Sequence, residues 1–445
     1  MAGEPLFGAV RSLLPADAVA TDGLDRYAVD GVTPQIAALP RDAGEVAAVL
    51  AEAARHDAAV IPWGGGTSMA LGNVPRRYDV ALDVTRLNAV VDHAPEDLTV
   101  VVQGGMRLSD LQDHLAKSGQ YLPFDPPQPE TATIGGILAS NAGGPSRHAY
   151  GWPRDWTLGL RVALADGSVT KTGGRVVKNV AGYDMTKLYL GSFGTLGVIV
   201  EAAFKVTVLP ESRATLAAFF RNRGAACKAA LALHQRNLAI ESLEVAGPGP
   251  VDLFEATGVR QNGWALLVAA AGVPAAVERS LRETTQLASD NGAASIERIE
   301  GEVAERLWRN VRGFISPPAN GDSLLTRAAL LPSQTDAFLD EIEALAARHR
   351  VKGQSVVHAG AGGVYSLWQA GKRGLTERGA GLVAGLRGAA WEWDAPLVIE
   401  RCPAALKDQI DVWGEPRSDF ALMRNVKGQL DPKGVLSPGR FLGRM

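Results

Sequence analysis

The chain has 445 residues, 46% of them apolar and 21% charged, with a formal net charge of −3. That length exceeds one compact domain and fits two or three, and the near-neutral charge without a basic run excludes a general nucleic-acid binder. Cys227 and Cys402 are the two cysteines and form no Cys-x-x-Cys pair, so a disulfide framework, a zinc ribbon or an iron–sulfur site within the chain is excluded.

Residues 1 to 40 read as an irregular lead-in ending at Pro40, without the basic-then-apolar order of a signal peptide. Asp42 and Glu45 form a capping-box pattern that opens a helix running to about Arg55. A strand over Val60–Pro62 leads into Trp63-Gly64-Gly65-Gly66-Thr67-Ser68. Three consecutive glycines allow backbone angles that any side chain would obstruct, and such a turn can aim several amide N–H groups into one anion-binding nest. The Lys-Ser/Thr end of Walker A is missing, and the spacing is not Gly-x-Gly-x-x-Gly. A plain tight turn is the other reading.

Val80, Leu82 and Val84 alternate as a strand, and Leu98 to Val102 is a second apolar strand. Ser109 and Gln112 form another capping-box pattern, with Leu108, Leu111 and Leu115 on one helical face. Residues 125 to 151 hold a second glycine-rich stretch, with Gly135-Gly136 and then Asn141 to Gly144. The small residues Ala139, Ser140 and Ala142 leave room there for a flat ligand. Residues 160 to 172 read as a hairpin turning at Asp166-Gly167. A third glycine set follows in Lys178–Asp184 and Gly191–Ile199. Three glycine-lined loops fit an elongated, phosphate-bearing cofactor better than a small metabolite.

From about Arg213 the glycine loops stop, and strands such as Leu216–Phe220, Trp264–Ala269 and Ser323–Leu331 alternate with helical stretches. One helix carries Val303, Leu307 and Val311, and another follows Ser333 with Phe338, Ile342 and Leu345 facing inward. This pattern predicts a second α+β or α/β domain up to about Pro403. Pro416 to Met445 reads as a helix and a turn-rich tail. No apolar stretch reaches transmembrane length, so no direct membrane insertion is expected.

Residues 35 to 210 resemble the FAD-binding domain of the vanillyl-alcohol oxidase and p-cresol methylhydroxylase superfamily, with three motifs in the family's order. The resemblance implies an α+β fold in which two α+β subdomains hold FAD and an α/β cap domain covers the flavin ring. The expected boundaries are 1–212 for the FAD domain, 213–405 for the cap and 406–445 for a segment returning to the FAD domain. Pro62, Trp63, Gly64, Gly65, Gly66, Thr67 and Ser68 match the pyrophosphate loop. Thr133, Gly135, Gly136, Ser140, Asn141, Gly143 and Gly144 match the flavin- and ribose-contacting stretch, with Tyr150 in the turn that follows it. Gly197, Val198 and Ile199 match the late FAD-contacting strand. Trp63 stands where the superfamily often has Arg, and the tail reads Ser437-Pro438-Gly439 instead of Asn-Pro-Gly. Thr67 stands in the loop where covalent relatives place a His, so non-covalent FAD is expected.

Within that superfamily the chain is similar to the FAD-binding E subunits of bacterial glycolate oxidase, through Lys178–Leu188, Val357–Val364 and Lys427–Phe441. This implies a second FAD subunit and an iron–sulfur subunit as partners, a small 2-hydroxy acid as substrate, and a cytoplasmic location peripheral to the inner membrane through those partners. The D subunits and related dehydrogenases carry a metal motif in the cap. The comparable stretch here offers His358 alone, so no metal is expected. For catalysis His358 is the candidate base and Arg401 the candidate carboxylate-holding cation, with Arg309, Arg312 and Arg327 as further cations. A structural histidine and surface arginines are the competing readings. Two other functions stay open: a structural subunit that holds FAD for stability, and a self-sufficient alcohol oxidase that uses oxygen.

Overall fold

The computed structural model describes residues 3–174, 183–315, 322–370 and 374–445. The chain divides into two compact units, one of Met1–Gly143, Trp152–Leu209 and Glu415–Met445, the other of Gly144–Gly151 and Pro210–Gly414.

The first unit holds two larger sheets among its described residues. One has four strands in the order Val19–Ala20, Ile36–Ala38, Val80–Asp83, Val60–Trp63, and Val80–Asp83 runs parallel to both of its neighbours. Parallel neighbours need a crossover, and the helix Ala43–Arg55 supplies it. Asp42 caps that helix by accepting from the Glu45 amide, while the Glu45 carboxylate accepts from the Arg41 amide. The other sheet is antiparallel, in the order Val90–Ala94, Thr99–Gln103, Val198–Lys205, Thr157–Ala163, Val169–Gly173. The last two strands form the hairpin expected at Asp166-Gly167, with Gly167 at φ +86°.

Two local expectations are corrected. Residues 1 to 40 are not irregular throughout, because Gly3–Leu13 is a helix. Leu6, Val10 and Leu14 recur at spacing four and are buried, a stripe that offsets the cost of ordering despite Pro5, which the first turn of a helix tolerates. The helix Leu108–Ala116 starts one residue before Ser109, after Arg107, and no side chain caps it. Gln112 instead bonds the backbone of Leu122 through both its amide groups. Leu108, Leu111 and Leu115 are buried as their spacing requires.

The second unit is built on one sheet, eight-stranded among the described residues. Its order is Ser295–Ile299, Ser212–Phe220, Trp264–Gly272, Ile240–Ala246, Val351–His358, Gly363–Ala370, Ser323–Ala329, Leu397–Arg401. Every pairing is antiparallel, which makes this unit α+β rather than parallel α/β. Leu243, Val245, Val357 and Val364 face the core shared with the helices Arg223–His234, Pro274–Asp290, Thr335–His349 and Gly374–Glu392. Val356, Tyr365 and Leu367 face the opposite side, where the helix Gly301–Phe314 packs through Leu307, Trp308, Val311 and Phe314.

Candidate functional site

In the first unit a cleft is lined by all three glycine-rich stretches. The lining takes Pro62 through Met69 from the first stretch, Gly135, Gly136, Ala139 and Ser140 from the second, and Phe193, Gly194, Gly197, Val198 and Ile199 from the third. Ser437 and Arg440 join them from the tail.

The glycines make this convergence sterically possible. A Cβ on Gly65 would lie 1.7 Å from the Thr131 carbonyl oxygen, and one on Gly64 would lie 2.1 Å from Thr133 Oγ1. The first loop therefore rests directly on the approach to the second. Gly66 turns at φ +73°, and its missing side chain faces the Trp63 indole. The Trp63 ring is held edge-on to Tyr27, 5.2 Å between centroids, and the Tyr27 hydroxyl donates to Asp83 at 2.7 Å. A Cβ on Gly194 would come 3.2 Å from Pro62, so the third stretch closes on the first.

Most sequence-expected binding residues meet in this cleft. Thr133 supports it from behind as the cap of the Ile134–Ser140 helix. Asn141 ends that helix at φ +50°, its side-chain oxygen buried and without a hydrogen bond. Gly143 packs against Trp152 and lies outside the lining. Gly144 and Tyr150 belong to the second unit and are not among the lining residues. Lys178 and Asn179 lie outside the described residues, whereas Asp184 caps the helix Met185–Tyr189 as its position suggests.

From sequence, Arg440 is either a residue that docks the tail or one that reaches a cofactor phosphate. It does dock, donating to the Met69 and Leu71 carbonyls, but it also lines the cleft with its charge 1% exposed. Burial lowers its pKa to about 10, partly offset by Asp30 and Tyr78. The cleft thus combines backbone donors, the hydroxyls of Thr67, Ser68, Ser140 and Ser437, and one guanidinium. That donor set and the side-chain-free cradle fit FAD. Among the described residues no histidine, cysteine or tyrosine lines it.

The second unit carries a polar cluster on the sheet face that also packs the helix Gly301–Phe314, opposite the core shared with four helices. His358 and Glu244 are cross-strand partners, 2% and 0% exposed. Nδ1 of His358 lies 2.7 and 2.6 Å from the two Glu244 oxygens. Tyr365 meets the His358 ring edge-on at 5.0 Å. Gly363, opposite His358 in register, has no side chain, and the Arg147 guanidinium occupies that space, 2.0 Å from where a Cβ would be. Gly360 admits His148 in the same way. Arg327 pairs with Glu400 at 2.5 Å.

Burial, followed by the nearby charges of Arg147 and Arg327, holds the His358 pKa well below its usual value, so the imidazole is neutral near pH 7. Burial also raises Tyr365, against the pull of Arg327 and Arg147. For Arg327 burial opposes the charge, but Glu400 and Tyr365 together outweigh it and the pKa rises. Arg401 is half-buried with its pKa lowered by burial, and no hydrogen bond, ion pair or ring contact joins it to His358 among the described residues. Sequence reading missed Glu244. The alternation Leu243-Glu244-Val245 was its only signal, placing an acid on the face opposite two core residues.

The chain matches the FAD binding domain family over residues 34–173 and the C-terminal domain of FAD linked oxidases over 209–378 and 414–441. It is 27% identical over 420 residues to glycolate oxidase subunit GlcD of Bacillus subtilis, covering 92% of this chain and 89% of that one. It is 26% identical over 440 residues to a D-lactate dehydrogenase of Archaeoglobus fulgidus, covering 95% and 96%. Among solved structures it is similar to p-cresol methylhydroxylase with substrate bound, at TM-score 0.78 and 16% identity over 98% of this chain and 96% of that one. Alkyldihydroxyacetonephosphate synthase follows at TM-score 0.76 and 17% identity, over 98% and 86%. Those two likenesses are of fold.

Proposed function

We propose that this chain, which belongs to the vanillyl-alcohol oxidase and p-cresol methylhydroxylase superfamily of FAD-binding oxidoreductases, serves the oxidation of a small 2-hydroxy acid. In this reading it is an FAD-binding member of a glycolate- or D-lactate-type oxidase complex, working beside a second FAD protein and an iron–sulfur protein. The observation that carries the proposal is the cleft in which three sequence-distant glycine stretches meet. The names of relatives that span nearly the whole chain support the substrate class. Partners follow from chemistry: with two cysteines, neither in a cluster motif, the chain has no iron–sulfur site of its own to carry single electrons. No helix among the described residues is long and apolar enough to cross a membrane.

FAD, when bound, supplies the hydride acceptor. The first loop and Arg440 would hold its diphosphate, and a lining without histidine, cysteine or tyrosine among the described residues favours non-covalent attachment. His358 takes the hydroxyl proton at Nε2, the nitrogen not engaged by Glu244. Arg147 and Arg327, whose charges act on His358, serve the substrate carboxylate. Arg401 remains the cation chosen from sequence.

A second reading is a structural subunit whose partner flavoprotein does the chemistry. The 2% exposure of His358 and the pairing of Arg327 with Glu400 favour it. The test is anaerobic mixing of the FAD-loaded chain, alone and in its native complex, with glycolate or D-lactate. Flavin bleaching in the isolated chain supports the catalytic reading, and bleaching confined to the complex supports the structural one. Rapid peroxide formation without partners points to an oxygen-using oxidase. Colourless protein that takes up no FAD, or flavin that stays with the protein after denaturation, contradicts the cofactor assignment.

A further inference from the structure

The geometry points to Glu244 as the positioning residue that fixes His358 in its Nδ1–H form and so leaves Nε2 ready to accept a proton from the hydroxyl of a 2-hydroxy acid. This inference rests on the substrate class proposed above.

Glu244 lies in the strand Ile240–Ala246 between Leu243 and Val245, which point to the opposite face. Its carboxylate is wholly buried. Isolating such a charge from water is costly, so it persists only when hydrogen-bonded and near counter-charges, and the Arg147 and Arg327 guanidiniums act on the same cluster. Its partner is His358 Nδ1, met by both oxygens. An ionised carboxylate only accepts hydrogen bonds, so Nδ1 carries the hydrogen and the neutral ring keeps its lone pair on Nε2. That atom is buried and makes no hydrogen bond among the described residues. An unmet buried acceptor is destabilising, and packing alone gives no reason to keep one.

The groups facing the ring come from every element around it. They are Arg147 from the short helix Arg147–Tyr150, Arg327 with Glu400 from the two strands at the sheet edge, and Tyr365 from the neighbouring strand. The two guanidiniums resist protonation of His358, whereas Glu244 offers the imidazolium a counter-charge in contact. In the proton step the substrate O–H bond breaks and an Nε2–H bond forms. The substrate's two electrons leave with the carbon-bound hydrogen, in the oxidation already proposed. Glu244 touches no reacting atom, and its effect passes through His358.

The test joins a spectroscopic arm to a kinetic one. Nitrogen NMR of histidine-labelled protein, with seven histidines to resolve and His358→Gln to identify the signal, is expected to show Nδ1 protonated and Nε2 bare near pH 7. A protonated Nε2 overturns the inference. In the FAD-loaded complex, Glu244→Gln is expected to lower kcat by about 10³-fold or more, as loss of an orienting carboxylate does in other His-dependent enzymes. KM should stay within a few-fold. The acidic limb of kcat/KM should move to lower pH, since the ring loses its counter-charge, and Glu244→Asp should recover part of the rate. A Glu244→Gln protein that only loses thermal stability, with kcat and pH profile unchanged, reduces the pair to a structural contact. Wild-type complex that oxidises no 2-hydroxy acid refutes the substrate proposal instead, and the NMR arm still decides the role of Glu244.

Discussion

An added Cβ at Gly65 would overlap the Thr131 backbone carbonyl at 1.7 Å, and backbone cannot swing aside as a long side chain can. Gly65→Ala must therefore push the first loop away from the second. Overpacking of this kind costs typically about 1–3 kcal/mol, felt here mainly in the loop geometry that cradles the cofactor. FAD affinity should fall by roughly 10- to 100-fold, read by flavin fluorescence titration of the purified chain. The overall fold should survive, because the nearest atoms that the added Cβ would meet are backbone atoms of Thr131 and Ala132 and not core side chains. Unaltered affinity would mean that the loop is not the diphosphate cradle.

The tail is an element with little regular structure that a few buried polar groups hold in place. After the helix Phe420–Leu430, the Asp431 carboxylate accepts from the amides of Val435 and Leu436 and from Lys427 Nζ at 2.5 Å. Lys427 also donates to the carbonyls of Thr195 and Leu436, tying the tail to the third glycine stretch. Val60 and Leu436 then form a parallel bridge, which brings Ser437 and Arg440 to the cleft. Lys427→Met leaves Asp431 buried and unneutralised, a loss of about 3–5 kcal/mol. At about 2–4 °C per kcal/mol for a unit of this size, melting should drop by roughly 10 °C, with FAD retention falling in parallel. Lys427→Met with Asp431→Asn should recover part of the loss, since the stranded charge is gone. Calorimetry of the two variants checks both statements.

Across the whole molecule the acid-sensitive histidines are unevenly placed. His148 is held down to about 4, by burial and then by His234, from an ordinary 6.5, and His358 is lowered in the same direction. Both belong to the second unit. Between those values the unfolded chain binds a proton that the folded chain refuses, so stability falls as pH drops from about 6.5 toward 4 and is constant above that range. At about 1.4 kcal/mol per pH unit, His148 alone accounts for roughly 3 kcal/mol. His114 in the first unit shifts the same way but sits nearer the surface. Acidification should thus melt the second unit first, seen as a splitting of the calorimetric transition below pH 6, and His148→Asn should narrow that split.

The FAD-binding architecture was legible because its signals are local. Glycine runs, the Asp42 cap and the Asp166-Gly167 turn each act within a few residues, and their order along the chain marks the family. The first helix was missed because Leu6, Val10 and Leu14 are sparse among small and polar residues, and only burial against the neighbouring helix reveals them as a stripe. The His358 cluster was half visible. His358 stood out at a strand end, but Glu244 lies 114 positions earlier and Arg147 in another segment altogether. Sequence alone determined that flexible, side-chain-free bends recur in the right order for one cofactor, since backbone freedom is a property of single residues. Only the tertiary structure decided which acid meets which imidazole, because strand register, not spacing along the chain, sets the neighbours of a buried charge.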